Sequence, residues 1–343
     1  MTPTPNTQNL TPSPASPIRD LTYRTYDGPL HARKARWWII AIARMRYLRA
    51  KWWFWLLVVF SLLPYFGVGV VLYIQSTITQ TMPSGPRGLL FDAPIGERFA
   101  TIFFTTQGFQ MFFLFLIALA AGAGSIALDN RTNALQVYLS KPLTKGDYLM
   151  GKWMGIFLTV FYVALAPALL FYLYCLLNYW DDGFFKNEPW LILRILAACA
   201  IPGAVHASLL VGFSAWSKTP LIAGVVYAAL YFVTSIGAGA VWAITTRART
   251  DEGVLVRHMH VQGIITGLAQ NAYNVSLDET QVSGRRGRRR RDGGTPEMQI
   301  QGINQVRIPP PEPAPLILAA FVTMAAGITA ARYRIRAVEV VRG

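Results

Sequence analysis

The sequence predicts an all-α, polytopic membrane protein with six transmembrane helices, an N-terminal interfacial helix and a short cytoplasmic helix between spans 2 and 3. Three observations carry this. Hydrophobic residues make up 53% of the 343 and charged residues only 14%. Several uncharged runs exceed the roughly 20 residues that cross a hydrocarbon core. Lys and Arg gather at the ends of those runs, where they report orientation. With most of its length in apolar spans, the chain has little left for a soluble catalytic domain. A formal charge of +15 would suggest a phosphate-tracking face in a soluble chain; here it marks membrane sidedness, and no nucleic acid partner is expected. Cys175 and Cys199 both lie inside apolar runs, where buried free thiols are expected.

Residues 1–31, with Pro3, Pro5, Pro12, Pro14 and Pro17 among Ser, Thr and Asn, cannot bury a core and are expected as a disordered cytoplasmic tail. The first apolar run begins near Trp52, too far in for a cleaved signal. Before it, residues 32–51 form an amphipathic interfacial helix. At 100° per residue Trp38, Ile42 and Met45 fall on one side, while Arg33, Arg36, Arg44 and Lys51 fall on the other. Spans 1 to 5 occupy residues 52–244, as Trp52–Ile74, Ala100–Ala127, Trp153–Asn178, Leu191–Trp216 and Leu221–Ile244. The first 51 residues carry nine Lys or Arg against two acids, which places the N-terminus inside. The loops after spans 1 and 3 are balanced or acidic and suit the outside.

Residues 245–314 form a large outer loop, with an interfacial helix over Gly253–Ala272 and a flexible Arg-rich tip around Arg285–Arg291. That tip lies beyond the reach of the positive-inside rule. Residues 315–343 hold span 6, Pro315–Ala331, and a basic tail. Both termini are thereby cytoplasmic, in the inner (plasma) membrane.

The most informative stretch is the polar interruption Asp129–Lys152. Asn133 can cap a short helix, with Gln136 three residues on, and Lys141 before Pro142 ends it. Leu135, Tyr138 and Leu139 form an apolar stripe outside the bilayer, in need of a partner. Thr144-Lys145-Gly146-Asp147 is a second capping box leading into span 3. Gly146 to Lys152 matches the first seven positions of a phosphate-binding loop, but the eighth is Trp153 instead of Ser or Thr, and no strand precedes it.

This stretch, SIALDNRTNALQVYLSKPLTKGDYLMGK, resembles the segment between spans 2 and 3 of ABC-2 type transporter permeases. There an acidic-Arg pair, a small residue with Leu, a Leu-Ser-x-Pro turn and a Gly-Lys recur. Asn133 stands where that family usually has Gly, so a left-handed turn competes with the cap. The resemblance implies a coupling helix at 129–142 that seats in a separate ATPase subunit. It carries that role to Asp129, Arg131, Leu135, Tyr138, Leu139, Ser140 and Pro142, with a second contact at Lys218 between spans 4 and 5. It implies a permease subunit of an exporter, not itself an enzyme and without a cofactor of its own. ATP and Mg would sit on cytoplasmic ABC ATPase subunits, and a second permease subunit would complete a homo- or heterodimer. The rival reading is a membrane anchor for an envelope complex that transports nothing.

Other polar residues keep two readings. Gln107, Gln110 and His206 lie within spans and mark either a translocation path or interhelical hydrogen bonds. His258-Met259-His260 is either a soft-metal site or part of a surface helix. Ala118, Gly122 and Gly124 are spaced for close helix contact, within the chain or at a dimer seam. No Ser-His-Asp or paired-carboxylate constellation stands in the loops.

Overall fold

The computed structural model describes residues 35–81, 99–134, 143–181, 183–248, 258, 260–282, 303–308 and 310–335. Ten helices and one strand pair are found among them: α1 (Arg36–Arg49), α2 (Trp52–Thr81), α3 (Phe99–Gly122), α4 (Ala127–Arg131), α5 (Lys145–Asn178), α6 (Phe184–Asn187), α7 (Leu191–Trp216), α8 (Pro220–Ala248), α9 (Val261–Tyr273), β1 (Leu277–Val282), β2 (Ile303–Ile308) and α10 (Pro313–Arg334). Six segments are long and apolar enough to span a membrane: α2, α3 continued through α4, α5, α7, α8 and α10. The six expected spans are thus all present. The β1–β2 pair is antiparallel, with Leu277 opposite Ile308. It was not anticipated, because the outer loop reads as flexible polar chain.

Helix α7 is the hub. In its most apolar stretch 72% of residues are buried, against 17%, 28% and 22% in α2, α8 and α10. Lipid tails are as apolar as leucine, so close packing and hydrogen bonds, more than burial, hold such helices together. Glycines permit the closest crossings. A Cβ on Gly212 of α7 would lie 2.8 Å from the Gly327 oxygen of α10, and one on Gly327 would lie 2.7 Å from the Ser208 carbonyl carbon. Gly122 meets Leu210 at 2.6 Å in the same sense. Gly122 with buried Ala118 therefore serves a contact inside the chain, and the dimer-seam reading is replaced by packing of α3 on α7.

Helix α1 packs one of its sides on the bundle. Its buried residues are Ala41 and Leu48, while Trp38, expected on the apolar face, is exposed. The face turned to the bundle carries Trp37, Ile40, Ala41 and Arg44, and it sits across Gly151 and Gly155 of α5. Their added Cβ atoms would meet Trp37 O at 2.7 Å and Arg44 Cβ at 3.1 Å. Arg44, expected on the polar face, instead meets the bundle, because α1 packs on α5 and a glycine pair lets even a residue with an Arg head approach. Helix α9 likewise is more than a surface helix: Ile264, Ile265, Ala269 and Tyr273 are buried. Arg194 of α7 is bound to Glu188 at 2.6 Å and reaches the Tyr273 carbonyl at 3.4 Å.

Gly327→Ala should lower stability by about 1–3 kcal/mol, as overpacking does, because the added methyl meets backbone that cannot yield. Gly237, whose Cβ position is open, is the control. Thermal denaturation of the two alanine variants in mild detergent checks this, and equal midpoints would contradict it.

Candidate functional site: the clamp at the end of span 2

Span 2 does not run unbroken to its polar end. Helix α3 stops at Gly122, and residues 123–126 turn before α4. Glycine at 122 and 124 lowers the helical preference there. A break at this depth frees backbone groups that need partners, and two side chains from other helices supply them. Ser214 Oγ of α7 accepts from the Ile126 and Ala127 amides, each at 2.9 Å, and donates to the Ala123 carbonyl at 2.9 Å. Arg44 of α1 donates through Nε and Nη2 to the Ala121 carbonyl at 3.0 and 2.6 Å. Burial pulls the Arg44 guanidinium below its ordinary value, against Tyr47 and Asp129, which raise it. It remains protonated at neutral pH, as arginine does.

Helix α4 then places Asp129 inward. Its Oδ2 receives Lys152 Nζ of α5 at 2.7 Å and the Tyr148 hydroxyl at 2.7 Å. The Asp129 and Lys152 side chains are only 13% and 8% exposed, so the pair is a buried one, and Lys152 Nζ also lies 5.4 Å from the Tyr148 ring centroid. Gly151 beside it is the point where α1 crosses. Together these contacts give the Gly-Lys of the sequence motif its physical meaning: Gly151 admits α1 and Lys152 neutralises Asp129. Arg44, Tyr148 and Ser214 were missed from the sequence. A signal existed only for Arg44, as a cation beside an apolar helix face.

The two capping expectations divide. Thr144 caps α5 as expected: its Oγ1 accepts from the Asp147 amide at 3.0 Å, and Asp147 Oδ2 accepts from the Thr144 amide at 3.3 Å. Asn133 has the backbone of the competing turn, and Gln136, its expected capping partner, lies outside the described residues. The Asn133 φ of 54° is left-handed, two residues after α4 ends at Arg131, a conformation Asn tolerates best after Gly. Of the residues given a coupling role, Asp129 is buried, whereas Arg131 and Lys218 are exposed at the same end. Asn130 donates to the Ala215 carbonyl at 3.3 Å, which keeps α4 next to the α7–α8 linker that carries Lys218. Leu135, Tyr138, Leu139, Ser140 and Pro142 lie outside the described residues. The run resembling a phosphate loop is helical from Lys145 onward, and its lysine is held on Asp129.

The residues considered for a path lie in the core. Gln107 of α3 donates to the Ala198 carbonyl of α7 at 2.9 Å. Gln110 donates to Ser61 Oγ of α2 at 2.8 Å and to the Val163 carbonyl of α5 at 3.2 Å. His206 Nδ1 is hydrogen-bonded to the Tyr227 hydroxyl of α8. All three are buried and each joins neighbouring spans. The His258 ring packs at Gly267 of α9, Met259 lies outside the described residues, and among those described no group of three His, Cys, Asp or Glu could hold a metal ion.

Removing one partner of a buried ion pair strands the other charge, at a cost of about 3–5 kcal/mol. Lys152→Met alone should therefore destabilise the chain strongly, and Asp129→Asn together with Lys152→Met should recover much of the loss. Denaturation midpoints of the single and double variants measure this; a double variant no better than the single would show that the pair contributes no coupling.

Among known families, the profile described as "ABC-2 family transporter protein" matches residues 38–280, from within α1 into β1. Comparison with curated proteins gives no match. A match over more than half of the chain, on a six-span bundle whose motif residues Asp129, Gly151 and Lys152 converge in one clamp, places this protein in the ABC-2 transporter family.

Proposed function

We propose that the chain is the permease subunit of an ATP-driven exporter, paired with a second permease subunit and powered by cytoplasmic ABC ATPase subunits that hold the ATP and Mg. The observation that carries this reading is the clamp. Asp129 stands at the end of span 2 and Lys152 near the start of span 3, and this ion pair ties the two spans on either side of the segment that joins them. A push on 132–144 from outside is then passed to both spans together. Arg44 and Ser214 extend the same push to α1 and α7, and a rigid-body shift of this kind is a common way for an effector site to switch a distant one.

In this reading Arg131 and Lys218, both exposed, flank the ATPase contact made by Leu135, Tyr138 and Leu139, while Asp129 works from behind as a positioning residue. The sparsely buried faces of α2, α8 and α10 remain for the second subunit and the bilayer. Because Gln107, Gln110 and His206 are engaged in the core of one chain, the substrate path runs along the seam between permease subunits. The excess of Lys and Arg near α1 and after α10 supports cytoplasmic placement of that end in the plasma membrane.

Replacing Leu135 and Tyr138 together by Asp should abolish co-purification of the ATPase subunits and the stimulation of their hydrolysis, with the thermal midpoint of the permease unchanged. Retained association and stimulation in that variant would remove the coupling role. Wild-type chain that never brings down an ATPase would favour an anchoring subunit.

A further inference from the structure

Two apolar cavities, of about 560 and 440 Å³, lie in the cleft between α2 and α5. Leu62, Pro167 and Leu170 line both, so they form one continuous groove on the outside of the bundle. Its volume falls within the roughly 300–1,000 Å³ of pockets that hold small ligands. One end is formed by Tyr73 and Tyr174, the other by Met45 and Arg49 of α1 with Trp55. From Trp55 to Tyr73 is a helical rise of about 27 Å, close to the ~30 Å of a hydrocarbon core. The groove therefore follows the bilayer from one interface to the other.

The two ends differ in charge. The last turn of α1 carries Arg46 and Arg49, its first turn holds no acid, and exposed Lys51 follows. The Trp55 indole donates to the Arg49 carbonyl at 2.9 Å, which fixes an amphipathic ring at headgroup level beside the cations. The remaining wall is aliphatic and aromatic apart from Thr159, whose hydroxyl is spent on the Gly155 carbonyl at 2.7 Å. An occupant must thus be apolar along most of its length and anionic at the α1 end. A second copy of this chain fits poorly, because a two-fold pairing of this groove with itself would bring like-charged α1 ends together.

We propose that the groove holds one anionic phospholipid, its phosphodiester at Arg49 and an acyl chain laid along Leu62, Pro167 and Leu170 toward Tyr73. The site is independent of ATP-driven export and would hold equally for an anchoring subunit. Lipid at this position braces α2 against α5, adding to the Tyr65–Phe171 ring contact at 5.7 Å, the Gln110 bonds at mid-depth and Tyr179, whose hydroxyl donates to the Leu72 carbonyl at 3.2 Å.

Native mass spectrometry of the full chain in mild detergent, titrated separately with phosphatidylglycerol and phosphatidylcholine, tests this. The wild type should retain one phosphatidylglycerol in preference to phosphatidylcholine. Arg49→Glu reverses one charge and should weaken phosphatidylglycerol about thirtyfold, since each unit of charge near a headgroup contributes about 1 kcal/mol, and leave phosphatidylcholine unaffected. Leu170→Trp, which fills the groove, should weaken both. Wild-type phosphatidylglycerol binding in both variants would overturn the proposal. So would disulfide-linked dimers of Leu63→Cys in vesicles, since Leu63 lines the groove and such a link would seat a second copy there.

Discussion

The buried contact between Asp129 and Lys152 is the constraint on which the polar end of this bundle depends. An unpaired charge at that depth would be expensive, so each residue fixes the position of the other, and with them the ends of spans 2 and 3. The pair works only because the chain reaches it correctly. Span 2 must break after Gly122 to turn Asp129 inward, and the break is tolerated because Ser214 and Arg44 take up the freed backbone groups. Span 3 must begin at Thr144 to set Tyr148 and Lys152 one turn apart on the facing side. Four elements, α1, α4, α5 and α7, are thereby joined at one point, and glycine at 151 leaves room for the first of them.

Deeper in the membrane the same logic is repeated with uncharged groups. Gln107 and Gln110 make α3 a polar connector to α7, α2 and α5, and His206 with Tyr227 joins α7 to α8. Aromatic contacts surround this last pair, with Phe115 stacked on Tyr231 at 4.3 Å. Such bonds specify which helices are neighbours where apolar surface alone cannot. The outer helices α2, α8 and α10 receive few of them and stay largely exposed, and it is along α2 that the groove with its cationic end is found.

Much of this was legible in the sequence. Six spans follow from apolar runs of membrane length, and the Thr144 box follows from local chemistry that needs no distant partner, whereas the Gly-Lys motif was legible only through the family resemblance and takes its meaning from α1 and Asp129. Misreadings arose where tertiary contact overrides periodicity. Arg44 looks like the polar face of a surface helix until its carbonyl partner 77 residues away is known. Asn133 has the residue type of a cap and also that of a left-handed turn, and only the backbone decides. The Gly122 step reads as an ordinary small-residue contact and is also the point where the helix ends. Ser214 could not have been singled out at all, since its role comes from its position opposite that break.

The central claim is that the end of span 2 is held as one unit by helices that are distant in sequence. Amide hydrogen exchange of the full chain, comparing wild type with Lys152→Met, tests it most directly at Ile126 and Ala127, whose amides donate to Ser214 of α7. The account predicts that both amides exchange faster in the variant, by about tenfold or more, as a cooperative unit opens together. Unchanged protection at Ile126 and Ala127, with loosening confined to the first turns of α5, would contradict it.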